Sequence, residues 1–140
     1  MEERVVEVDT TISAQPARVW EVITDGTSMM PGTTVESSWK RGAPITFSGE
    51  WNGKPFKDYG EILELEPERL VAYSHWSKTP QRPADYHIVR YELEPALNGT
   101  VVRLSQTNVG ASPQIDDATR AEFTKNWTMM LEALKKAAEA

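Results

Sequence analysis

Residues 45–66 read ITFSGEWNGKPFKDYGEILELE. Ile45, Phe47, Gly49 and Trp51 alternate with Thr46, Ser48 and Glu50, the period-two pattern of a strand that buries one face. Asn52-Gly53 follows at once. Both residues tolerate positive φ, so the pair marks a tight primed turn and the stretch is a hairpin. Its second strand runs from about Pro55 to Glu66 and stops at the turn Pro67-Glu68.

The pattern continues outward in both directions. Leu70 to Ser77 reads as the next strand, and Lys78 to Pro83 is a loop whose two prolines deny it ladder hydrogen bonds. His87, Val89, Tyr91 and Leu93 alternate on a further strand, and Asn98-Gly99 closes a second hairpin. Thr100, Val102, Leu104 and Gln106 share one face of the last strand. Beyond a loop at Gly110 to Pro113, residues from about Ile115 to Ala138 read as one long helix, with Phe123, Trp127, Met130, Leu131 and Leu134 on one stripe. Asp116-Asp117 complements the dipole at its start. On the amino-terminal side, Val6, Val8, Thr10 and Ile12 line one face of a first strand. A helix follows, with Ser13 or Gln15 as cap, Pro16 in the first turn, and Val19, Trp20 and Ile23 on one face. A second short helical turn is expected around Met29 and Met30, stopped by Pro31-Gly32. The order implies an α+β fold: an antiparallel sheet of about seven strands with the long helix laid across it.

Composition bounds the chemistry. The chain has 140 residues, a net charge of −6 and no cysteine. One domain spanning residues 1–140 is expected at this length. Disulfides, thiolate nucleophiles and cysteine-bound metals are excluded. The acidic balance argues against nucleic acid or anionic lipid as partner. No stretch matches a membrane-spanning helix, and the charged, alternating start MEERVVEVDTTIS is unlike a signal peptide, so a cytoplasmic protein is expected. No phosphate loop, Ser/His/Asp set or metal-ligand spacing is visible, and no cofactor is implied.

Several motifs, taken in order, resemble a known family. Ile12 with Pro16-Ala17-Arg18-Val19-Trp20 is similar to an I-x-A-x-P-x-x-V-W opening. Gly60-Glu61-Ile62-Leu63-Glu64-Leu65-Glu66-Pro67-Glu68-Arg69-Leu70 resembles a G-x-V-x-E-x-x-P-x-x-L segment. Tyr91-Glu92-Leu93-Glu94 with Asn98-Gly99-Thr100 resembles an F-x-L-x…G-G-T hairpin, and Asn126-Trp127 to Leu134 a closing G-W…L…L helix. These features resemble the family related to the C-terminal domain of the activator of the heat-shock protein 90 ATPase, the AHSA type of the SRPBCC or START-like superfamily. The resemblance implies a helix-grip fold, in which a curved sheet wraps a long C-terminal helix. Met29-Met30-Pro31 stands where relatives often carry a tryptophan, and Asn126 where glycine is common.

Period-two geometry then points His87, Tyr91 and Gln106 toward the helix, with Asn108 following if the strand stays regular. An apolar space with a few convergent polar groups suits a small molecule. A side-chain-filled core is the alternative. The expected liners are Phe47, Trp51, Tyr59, Trp76, His87, Tyr91, Gln106, Phe123, Trp127 and Met130, with Trp76 facing inward and His75 outward. The expected function is a binding domain for a hydrophobic small molecule without catalytic machinery. Two alternatives stay open: an interaction module that modulates a chaperone ATPase, and a cyclase-like enzyme with His87 as base.

Overall fold

A computed structural model describes residues 2–25, 33–110 and 116–140; the side chains of Glu2, Glu3 and Trp51 and the expected helical turn at Met29 and Met30 lie outside the described parts. The elements run β1 (Glu2–Ile12), α1 (Pro16–Thr24), β2 (Thr33–Ser37), β3 (Pro44–Trp51), β4 (Lys54–Glu66), β5 (Leu70–Ser77), β6 (Tyr86–Ala96), β7 (Gly99–Val109) and α2 (Asp117–Glu139). The strands form one seven-stranded antiparallel sheet in the order β1-β7-β6-β5-β4-β3-β2. From β2 to β7 it is a meander, and β1 closes onto β7.

The turns form where the sequence places them. Asn52 and Gly53 both take positive φ between β3 and β4, and Asn98 does so between β6 and β7. Pro16 opens α1, whose cap residue Gln15 makes no side-chain capping bond. Asp116 caps α2 through its side chain, which accepts from the Thr119 amide.

Cross-strand partners share a face, so the register sorts the sheet. Val71, Tyr91, Leu104 and Val8 form one inward row, and Tyr73, Val89, Gln106 and Val6 the next. His75, His87 and Asn108 form a third row at the end of the sheet. The centre of the inner face is filled: Phe47, Tyr73, Tyr91, Leu104, Leu131 and Leu134 are buried against one another.

One irregularity bends the β4–β5 pair. The register shifts by one residue between Ile62 and Glu64, and just before that shift the Ser74 hydroxyl takes the Glu61 amide hydrogen at 3.0 Å. Gly60 permits the close approach of β4 to β5 there, because a Cβ on it would lie 1.9 Å from the Ser74 carbonyl oxygen.

Helix α2 packs chiefly on β1 and α1, so it covers one side of the sheet more closely than the other. Polar bonds pin it along its length. Arg120 Nε donates to the Val5 carbonyl at 3.0 Å, Lys135 Nζ to the Thr11 carbonyl at 2.8 Å, and the Ser13 amide to Glu139 at 2.7 Å. The inner ends of β5 and β6 are left beside an opening rather than beneath the helix.

Candidate functional site

A cavity of about 410 Å³ opens at that end of the sheet, bordered by His75, Trp76 and Ser77 of β5, Tyr86 and His87 of β6, and Asn108 of β7, with the Lys78–Asp85 connection at its rim. The size falls within the range of small-molecule sites. The strands supply its inner wall because their alternation carries His75, His87 and Asn108 to one face.

Behind the wall runs a chain of hydrogen bonds. The indole of Trp127 on α2 donates to Gln106 Oε1 at 2.7 Å, and Gln106 Nε2 donates to Asn108 Oδ1 at 2.9 Å. The same oxygen lies 2.8 Å from His87 Nδ1. Gln106 is 2 % exposed, so its amide depends on these partners in place of water. Phe123 of α2 meets the His87 ring edge-on, with centroids 6.1 Å apart. His75 stands parallel to His87 at 6.3 Å and bonds Asp58 of β4 through Nε2 at 3.0 Å. Phe47 backs the His75 ring at 5.1 Å. Burial pushes the His75 imidazole below its ordinary pKa, and the Asp58 carboxylate offsets only part of that effect. At neutral pH His75 is therefore uncharged.

The expected liners divide by position. His87 and Trp76 border the cavity, while Gln106, Trp127 and Phe123 support His87 from behind, and Phe47 supports His75. Tyr91 is a core residue away from the cavity, 1 % exposed, and among the described residues its hydroxyl is buried without a hydrogen-bond partner. Burial, with the neighbouring Tyr73 phenol, holds the Tyr91 hydroxyl protonated far above neutral pH. Met130 is half-buried on α2 and does not border the cavity.

Two expectations reverse. Tyr59 pairs with Trp76 across β4 and β5, on the face opposite to the helix, and carries Lys57 over its ring at 5.8 Å. His75 faces inward, and the Trp76 ring therefore turns outward, where it meets Tyr86 edge-on and donates to the Thr79 carbonyl at 2.7 Å. Trp76 is nonetheless 8 % exposed, because the connection after β5 folds back against it. A large apolar side chain was thus buried on the outer face, where hydrophobicity alone gives no direction. The signal that does find His75 is the alternation Val71, Tyr73, His75 within its own strand. Asp58 was missed because its pairing depends on the β4–β5 register.

A seven-stranded antiparallel sheet with a short helix after its first strand and a long C-terminal helix on its inner face is the helix-grip fold of the START-like superfamily. Within it, the chain belongs to the family described as activator of Hsp90 ATPase homolog 1-like protein, whose sequence model matches residues 13–139. The solution structure of ChR145 from Cytophaga hutchinsonii is 34% identical, with a TM-score of 0.76 over 97% of this chain and 92% of that one. The Aha1 dimer from Colwellia psychrerythraea shares the fold at 21% identity, with a TM-score of 0.69 over 99% of this chain and 96% of that one. CV1439 from Chromobacterium violaceum shares it at 19% identity, with a TM-score of 0.73 over 96% of this chain and 97% of that one. No curated protein sequence matches the chain significantly.

Proposed function

We propose that this protein is a cytoplasmic binding domain for a small, largely apolar molecule, and that the molecule enters the cavity beside His75 and His87. The observation that carries this reading is the ordered polar chain from Trp127 through Gln106 and Asn108 to His87, which ends at the wall of the 410 Å³ cavity. A buried amide pair that terminates on an accessible histidine resembles the few oriented polar groups of a ligand site. The filled centre of the sheet around Tyr91 supports a site at the open end of the grip in place of its middle.

Native mass spectrometry of gently purified protein tests this directly. A reproducible extra mass of small-molecule size, lost in His87→Ala but kept in Tyr59→Ala, is the expected result. A bare chain mass under all gentle conditions, together with no uptake from a panel of aromatic compounds, would overturn it.

Family membership supports a second reading, contact with a chaperone ATPase. The observation in its favour is the outer face of β4, β6 and β7, where Arg90 pairs with Glu64 at 2.7 Å and Arg103 with Glu94 at 2.7 Å. These pairs present a ladder of both signs to any partner. Retention on purified chaperone that is abolished by Arg90→Glu with Arg103→Glu, and unaffected by His87→Ala, would favour this reading over the first.

A further inference from the structure

The hydrogen-bond directions at the cavity wall are fixed from one end. An indole N–H only donates, so Trp127 assigns Gln106 Oε1 as acceptor and turns Gln106 Nε2 toward β7 and β6. Asn108 must then present oxygen to it, since the flipped amide would set two NH₂ groups 2.9 Å apart. That oxygen lies 2.8 Å from His87 Nδ1. Two lone pairs at that distance would repel, so Nδ1 carries the proton and donates. The 3.2 Å approach of Gln106 Nε2 to the same ring nitrogen follows from both groups converging on Asn108 Oδ1. Neutral His87 therefore has its lone pair on Nε2. At His75 the logic is shorter: the Asp58 carboxylate only accepts, so Nε2 holds the proton and Nδ1 the lone pair.

The two parallel rings thus offer one acceptor each, His75 Nδ1 and His87 Nε2. Neither nitrogen has a hydrogen-bond partner among the described residues, and both rings border the cavity. Pro83, Tyr86 and Val109 also border the cavity, with Lys78 and Asp85 beside them. We propose that the cavity selects a small neutral hydroxyl compound, an alcohol or phenol, whose O–H donates to one or both of these imidazole nitrogens. A ligand whose polar group is only an acceptor, such as a ketone, would place lone pair against lone pair and be disfavoured. This rests on the small-molecule reading above and adds to it the chemical class of the ligand.

Three naphthalenes of similar size separate the possibilities: 2-naphthol as donor, 2-acetylnaphthalene as acceptor, and 2-methylnaphthalene with no polar group. Fluorescence titration at pH 7.5 should find 2-naphthol bound about tenfold more tightly than 2-acetylnaphthalene, as expected when a hydrogen bond replaces an unpaired contact. His75→Phe and His87→Phe should each weaken 2-naphthol about fivefold and leave 2-methylnaphthalene within about twofold. A second measurement needs no variant. Long-range ¹H–¹⁵N spectra of the imidazoles in the wild-type protein should show His87 protonated on Nδ1 and His75 on Nε2. Binding of all three compounds without preference, or His87 found protonated on Nε2, overturns the donor selectivity and leaves the cavity reading standing. No binding of any of the three overturns both.

Discussion

Gly60 is the residue on which the shape of the sheet depends most directly. Its α-hydrogen faces the Ser74 carbonyl, and any side chain would have to occupy that oxygen's place, 1.9 Å from the new carbon. The obstacle is backbone held in two strands, so it does not yield as a flexible side chain would. Gly60→Ala should cost about 3 kcal/mol or more in urea unfolding, or prevent folding altogether. Ala at exposed Gly42, where a Cβ meets nothing within 4 Å, serves as the comparison, with only the penalty of its positive φ. Tyr91 gives the opposite expectation. Its hydroxyl is buried with the Tyr73 phenol as its polar neighbour and no well-formed hydrogen bond among the described residues, so the folded state bears the desolvation of that oxygen with little returned. Tyr91→Phe should leave stability unchanged or raise it by about 1 kcal/mol, and should leave ligand binding untouched, because the ring lies in the core. A loss above about 2 kcal/mol in the same unfolding experiment would contradict the assignment.

At the scale of elements, α2 and β7 are joined by more than apolar contact. The Trp127 indole and Gln106 amide form the polar link between them, and removing the donor alone would leave Gln106 Oε1 buried and unsatisfied. Trp127→Phe should destabilise by about 1–3 kcal/mol, and adding Gln106→Leu should recover part of the loss, a non-additive pair. Additive losses in a double-mutant cycle would show that the link carries no coupling. The elements themselves were legible in the sequence to a large degree. Asn52-Gly53 and Asn98-Gly99 announce their hairpins because few residues accept the backbone those turns require, and the stripe from Phe123 to Leu134 announces α2. The site was legible only in part. His87 and Gln106 follow from alternation within strands already recognised, and Asn108 continues them. His75 follows from the alternation within β5, but the Asp58 pairing and the burial of the outward Trp76 depend on the β4–β5 register and on the loop that covers Trp76. Those are long-range facts, absent from any local pattern.

At the scale of the whole molecule, the placement of His75 ties the open end of the sheet to pH. Three charged or titratable groups face one another there: Asp58 on β4, His75 on β5 and His87 on β6. Burial is the largest influence on His75 and lowers its pKa; the neighbouring His87 acts in the same direction, and Asp58 acts against both. The unfolded chain therefore takes up a proton at His75 before the folded protein does. Between the ordinary value near 6.5 and the lower folded value, the unfolded state holds more protons, and stability rises with pH. The contribution is complete above about pH 6.5 and disappears as the pH falls through the folded value. Exposed carboxylates with lowered pKa, Asp116 and Glu139, also weaken the fold on acidification, but in the more acidic carboxylate range. The two effects separate by substitution. His75→Phe removes the titration while keeping a ring against Phe47, so the variant's unfolding free energy should fall less steeply than wild type as the pH drops from about 6.5 to the lower folded value. Below that range the two curves should run parallel. Identical slopes across the whole interval would mean that His75 titrates alike in the folded and unfolded chains, and would overturn the effect assigned to its packing between Phe47 and His87.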